Sequence, residues 1–179
     1  MSPVKVFIIS VLAVLIIAVP VGAKPENIVM GLYKVSFDMG IDNLKWDIKE
    51  TPSETLSGST YITYTATANP ISPLVMIKID EFNFNGKESA PTESVDDIQG
   101  IKKNVESFLT TLGYTNIDVR GRTIDGHSAA IGYGQHADID LKLYNAAWWM
   151  DNTSVDIASS YPWNEGTLAL VKTIHVEKA

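Results

Sequence analysis

The stretch TESVDDIQGIKKNVESFLTTLG, residues 92–113, decides the fold. Its apolar side chains Val95, Ile98, Ile101, Val105, Phe108 and Leu112 recur every three or four positions, the period of a helix with one buried stripe. Ser94 caps the first turn by offering a side-chain oxygen to unpaired backbone N–H groups. Asp96 and Asp97 suit the positive end of the helix dipole, and Gly113 fits the left-handed residue that follows the last turn. Gly100 weakens the middle of this helix by about 1 kcal/mol relative to alanine.

On both sides of that helix the period falls to two. Val35, Phe37 and Met39 alternate with Ser36 and Asp38, and Leu44, Trp46 and Ile48 with Lys45 and Asp47, so residues 40–43 are expected to join two strands as a hairpin. Residues 61–68 are rich in Thr and Tyr. Leu74 to Phe82 carries apolar side chains at both parities, which suits a strand covered on both faces. Beyond the helix, strands are expected over residues 117–124, 127–135, 139–150 and 154–159, with Asp125-Gly126 forming a type I′ turn between the first two. Asn164 then caps a short helix to Ile174, whose Leu168, Val171 and Ile174 dock on the sheet, while Glu177 to Ala179 read as a fraying polar tail. The pattern predicts one α+β domain over residues 24–179, an antiparallel β-sheet with helices packed on its faces, or α/β/α sandwich.

Ahead of this domain, Val6 to Val19 is almost unbrokenly apolar, preceded by Lys5 and followed by Pro20-Val21-Gly22-Ala23. Small residues three and one positions before a break at Ala23 fit a signal peptide over residues 1–23, which places the protein in an extracytoplasmic setting, secreted or in the cell envelope. The run is shorter than the roughly 20 apolar residues a spanning helix needs, and retention of this segment as an anchor is the sole membrane association expected. With 14 basic and 21 acidic residues the chain has a formal charge of −7, and Arg120 with Arg122 is the nearest approach to a basic cluster, so nucleic acid is excluded as a partner. Cysteine is absent, which rules out disulfides, a thiol nucleophile and lipid attachment through cysteine. Stability must come from the core; about 155 residues suffice, since a domain of that size buries roughly 70% of its unfolded surface.

Three phrases, Val35-Ser36-Phe37-Asp38, Ile124-Asp125-Gly126-His127-Ser128-Ala129 and the closing Leu168 to Val176 with Thr173-Ile174, together with the order of elements, resemble the PsbP-like family. The resemblance spans about Val35 to Val176. It implies an antiparallel sheet sandwiched between helices, often exported, that serves as an accessory or binding subunit instead of an enzyme. No ion-site residues of that family transfer to this chain.

Common catalytic signatures are missing: there is no Gly-x-Ser-x-Gly, no His-Glu-x-x-His, no phosphate loop and no zinc spacing. Gly132-Tyr133-Gly134 lacks the third glycine and the helix of a dinucleotide site, and hairpin geometry explains it. His136, Asp138 and Asp140 alternate onto one face of a strand, but the first and last lie about 13 Å apart at roughly 3.3 Å per residue, too far to share one ion. No metal or cofactor is therefore expected. Aromatics are concentrated late in the chain: Trp149 falls on the core parity, whereas Tyr144, Trp148, Tyr161 and Trp163 are the candidate ligand-binding residues, lining a groove for a sugar, peptide or lipid. Asn152-Thr153-Ser154 is an N-glycosylation tripeptide. The expected function is that of an exported, non-enzymatic domain binding an envelope protein or a small molecule. The alternatives are an extracytoplasmic hydrolase, which needs two or more of His127, His136, Asp138, Asp140 and Glu165 to converge, and a hydrophobic-ligand carrier with a cavity beneath the long helix.

Overall fold

Val75, Ile77 and Ile79 are fully buried on one face of strand β6 (Val75–Asn83), while Leu74 and Met76 pack into a second apolar cluster on the other face. A strand apolar at both parities thus lies at the centre of a layered molecule. The computed structural model describes residues 25–41, 44–51, 55–56, 59–69, 74–83 and 98–179. The signal peptide expected over residues 1–23, the polar stretch 84–91, the helix-cap residues Ser94, Asp96 and Asp97, and the turn residues 42–43 and 70–73 lie outside the described residues.

Around β6 an eight-stranded antiparallel sheet assembles from β3 (Lys45–Thr51), β4 (Thr55–Leu56), β5 (Ser59–Asn69), β7 (Tyr114–Ile124), β8 (His127–His136), β9 (Lys142–Met150) and β10 (Thr153–Ser159). Its order is β3-β5-β6-β10-β9-β8-β7, with β4 paired to β5. The chain lays down β3 to β6 from one edge, crosses over through helix α1 (Ile98–Thr111), and returns as a meander whose last strand closes against β6. Asp125 and Gly126, at φ +51° and +79°, supply the two left-handed residues a type I′ turn requires, as their sequence predicts.

The two faces of this sheet are covered differently. On one, Ile101, Val105 and Leu109 of α1 bury themselves against Ala130, Leu143, Ala147 and Ala158. On the other sits a three-stranded sheet of β1 (Glu26–Met30), β2 (Tyr33–Phe37) and β11 (His175–Lys178), joined by α2 (Leu168–Thr173), whose Met30, Val35, Phe37 and Leu170 meet Ala66, Ile77, Trp148 and Ile157.

The expected α+β sandwich is therefore overturned. The chain is mostly strand in two sheets, with only α1 and the six-residue α2 as α-helices among the described residues, and a sheet stands where the second helical layer was expected. The physical reason is that period-2 alternation marks a strand without marking its partner. Val35 and Trp46 do not belong to one hairpin, since β2 pairs with β1 and β11 while β3 pairs with β5. The C-terminus differs for the same reason. A wide turn of π type, Trp163–Thr167, starts without a side-chain cap from Asn164, α2 follows for fewer than two turns, and His175 to Lys178 then add a strand to β2. On α1, Leu109 is fully buried and Leu112 is exposed, because the helix ends at Thr111. No helix among the described residues is long and apolar enough to cross a membrane.

Gly132 shows how closely α1 approaches the sheet. A Cβ there would stand 2.7 Å from Val105 Cγ1 and 3.0 Å from Val119 Cγ2, so the glycine admits the helix. One at Gly134 would stand 2.7 Å from Tyr114 Cβ. Both glycines lie inside β8, and close packing replaces the hairpin explanation for them.

Candidate functional site

The small sheet and α2 do not cover the whole of the inner face. Towards the β7 edge, period-2 alternation brings Asp118, Arg120 and Arg122 of β7, Tyr133 of β8 and Tyr144 of β9 onto one face above the buried Ile131 of β8, with Asp118 opposite Tyr133 and Tyr133 opposite Tyr144. The π-type turn stands beside them and contributes Trp163. Together they form an open cleft of about 300 Å³, at the small end of the range for ligand pockets.

Three aromatic rings run along its floor and wall. Tyr133 and Tyr144 have centroids 5.9 Å apart, and Tyr144 and Trp163 5.5 Å apart, with ring planes tilted by 42° and 35°. Trp163 is held by what lies behind it. Thr167 Oγ1 donates to the Tyr161 carbonyl at 2.7 Å and lies 2.8 Å from Ser159 Oγ, which ties the turn to the end of β10. Hydroxyls that exchange hydrogen bonds inside a tight turn fix it more firmly than solvent-exposed ones, because no water competes.

The polar side is made of guanidinium groups. Arg120 donates from Nε to Asp118 Oδ2 at 2.9 Å, with Nη2 at 2.7 Å from the same oxygen, and this bond holds its pKa above the ordinary arginine value. Arg122 has no hydrogen-bond or ion-pair partner among the described residues.

Of the four aromatic candidates, the structure brings two together. Tyr144 and Trp163 line the cleft. Tyr161 is half-buried and packs on the core beside the turn. Trp148 is fully buried in that core, with no hydrogen-bond partner for Nε1, and so leaves the candidate set; its parity does face away from α1, but the small sheet covers that face. Trp149 is instead the half-buried member of the pair, on the α1 side, 5.4 Å from Phe82. Tyr133, Asp118, Arg120 and Arg122 were missed. Their signal was present in the sequence, since Arg120 and Arg122 are the only arginines of the chain and stand two residues apart, but which strands flank β7 is a long-range fact.

The other chemistry-bearing residues do not gather. His127 and His136 lie at opposite ends of β8. That strand stops at His136, so residues 137–140 form a turn in which His136 Nδ1 accepts the Asp138 N–H at 3.2 Å and Gln135 donates to Asp140, and the expected strand start at Ile139 moves to Lys142. Glu165 is exposed on the π-type turn. Among the described residues no three His, Asp or Glu side chains are placed to hold a metal. Among the described residues one carboxyl is strongly perturbed: burial pushes Asp156 up to about 6, aided by Asp80 and opposed by Lys78. Asp156 shares its parity on β10 with Ala158, which belongs to the α1 side, so it lies on the opposite face of the sheet from the cleft.

Protein-family models, curated proteins and solved structures give no match to this chain, so the reading of the cleft rests on its geometry.

Proposed function

We propose that this protein is an exported, non-enzymatic domain that binds a small ligand at the cell envelope, and that the ligand lays a ring face, as a sugar does, on Tyr144 and Trp163. One observation carries the reading: a row of three aromatic rings, 5.5 and 5.9 Å between neighbours, with Tyr133 exposed and Tyr144 and Trp163 half-buried, lining a cleft of pocket size. The negative face of an aromatic ring attracts the weakly positive C–H face of a sugar ring, and both surfaces lose water on contact. A protein partner would call for roughly 800 Å² of matching surface on each side, far more than this cleft provides. Separation of Asp156 from the cleft supports binding over hydrolysis, because the acid with a suitably raised pKa stands across the sheet from the ring platform. Close packing of α1 on Gly132 argues against a carrier with its cargo beneath that helix. Placement at the envelope rests on the apolar run and small residues of positions 6–23.

Titration of the ¹⁵N-labelled protein with a panel of neutral and acidic tetrasaccharides tests this. Amide shifts are expected to be confined to β7, β8, β9 and residues 161–167. Tyr144→Ala combined with Trp163→Ala is expected to weaken binding at least about tenfold, the loss of two stacked contacts. Shifts centred on another face, or binding that survives the double substitution, would refute the proposal.

A further inference from the structure

Both arginines of this chain line the cleft, whereas every other Lys or Arg position is lysine. The distinction is chemical. A guanidinium is a planar fork of donors that meets a carboxylate edge to edge, in one plane, through two parallel hydrogen bonds, and it also lies flat against aromatic rings; an ammonium does neither. The two arginines are not equivalent. Arg120 is committed to Asp118 through two contacts to Oδ2, which leaves that pair close to neutral. Arg122 is exposed, on the same face two residues further along β7, and is without a partner among the described residues.

We infer that the ligand of this cleft is an acidic sugar whose ring lies on Tyr144 and Trp163 and whose carboxylate takes the fork of Arg122. This rests on the reading of the cleft as a ring-binding site. A single free guanidinium matches one negative charge, which suits a carboxylate better than a phosphate monoester with nearly two. An open cleft accommodates one ring within a longer chain, so the ligand class is an oligosaccharide bearing uronic-acid-type units. The chain's formal charge of −7 does not forbid this. At physiological salt the Debye length is about 8 Å, so distant carboxylates are screened and the local guanidinium governs the contact.

The test is calorimetric titration of the protein with tetragalacturonate, with the neutral, identically linked α-1,4-galactotetraose and with hexaglutamate, alongside Arg122→Ala and Arg122→Lys. Arg122 is exposed, so both variants are expected to fold, which near-ultraviolet circular dichroism checks. Tetragalacturonate is expected to bind about tenfold or more tightly than the neutral sugar, the value of one charge-assisted paired contact. Arg122→Ala should bring the acidic sugar down to the affinity of the neutral one, and Arg122→Lys should recover only part of the difference. Equal affinity for both sugars, unaffected by Arg122→Ala, would overturn the acidic ligand and leave the ring-binding cleft standing. Failure of both sugars to bind would overturn the cleft reading and this inference together. Hexaglutamate binding as tightly as tetragalacturonate, and losing affinity in Arg122→Ala, would replace the sugar with an acidic peptide.

Discussion

Asp156 sits opposite Lys78 on β6 and Ala147 on β9, on the face of the large sheet that also carries α1. Its folded pKa of about 6 exceeds the unfolded value of 3.8, because burial disfavours the carboxylate more than Lys78 favours it. The folded state therefore holds the proton more tightly between those values, and stability falls as pH rises through that window. The shift corresponds to about 3 kcal/mol, present below the unfolded value and lost above the folded one. Asp156→Asn is expected to raise the melting temperature near pH 7 by about 5–10 °C, and to flatten its decline between 3.8 and about 6. Parallel pH profiles for the two proteins would show that another group carries the dependence. Nothing in the alternation of Ser154, Asp156 and Ala158 distinguishes an enclosed carboxylate from a solvated one, since that depends on what lies across the strand.

At the scale of elements, the C-terminal segment shows how a correct burial pattern can accompany a wrong element. Val171 and Ile174 are buried as their spacing predicts, but Leu170 takes the place of Leu168, because α2 is too short for a three-residue stripe to form. The tail is not free either. Glu177 faces Lys34 with 2.9 Å between Oε1 and Nζ, Lys178 pairs with Glu81, and the Ala179 N–H donates to the Leu32 carbonyl at 2.8 Å. His175 Nδ1 lies 2.7 Å from Asp125 Oδ1, and Asp125 Oδ2 accepts the Val176 N–H at 2.8 Å, which fastens β11 to the β7–β8 turn. The hydrogen bond to Asp125 raises the His175 pKa, so this pair supports β11 below the unfolded value of 6.5 and is lost as pH rises through the folded one. Deletion of residues 168–179 is expected to abolish the cooperative thermal transition, since it strips Leu170, Val171, Ile174 and Val176 from the core. Removal of residues 177–179 alone should lower the melting temperature by only about 2–4 °C, because exposed ion pairs contribute little. A shorter chain that melts with the full-length protein would restore the reading of a fraying tail.

At the scale of the whole molecule, the described residues form two apolar clusters that share one sheet, since β6, β8, β9 and β10 contribute side chains to both. Neither cluster has a strand layer of its own on the shared side. Unfolding should therefore be a single transition: Leu109→Ala in the α1 cluster and Leu170→Ala in the other, both fully buried, are each expected to cost about 2–5 kcal/mol and to shift the same melting curve. Two separable transitions in calorimetry would show independent cores. The sequence by itself determined that a helix lies within 92–113, most strands of the large sheet, the Asp125-Gly126 turn and the two-sided burial of β6, because each is written in a local period or a local backbone demand. Only the tertiary structure decided that β2 leaves β3 for a second sheet, that Trp148 and not Trp149 fills the centre, and that Arg120 and Arg122 reach Tyr144 and Trp163. The physical reason is common to all three. Alternation fixes which residues share a face of their own strand, whereas which strand lies alongside, and what covers that face, follow from contacts between residues far apart in the chain.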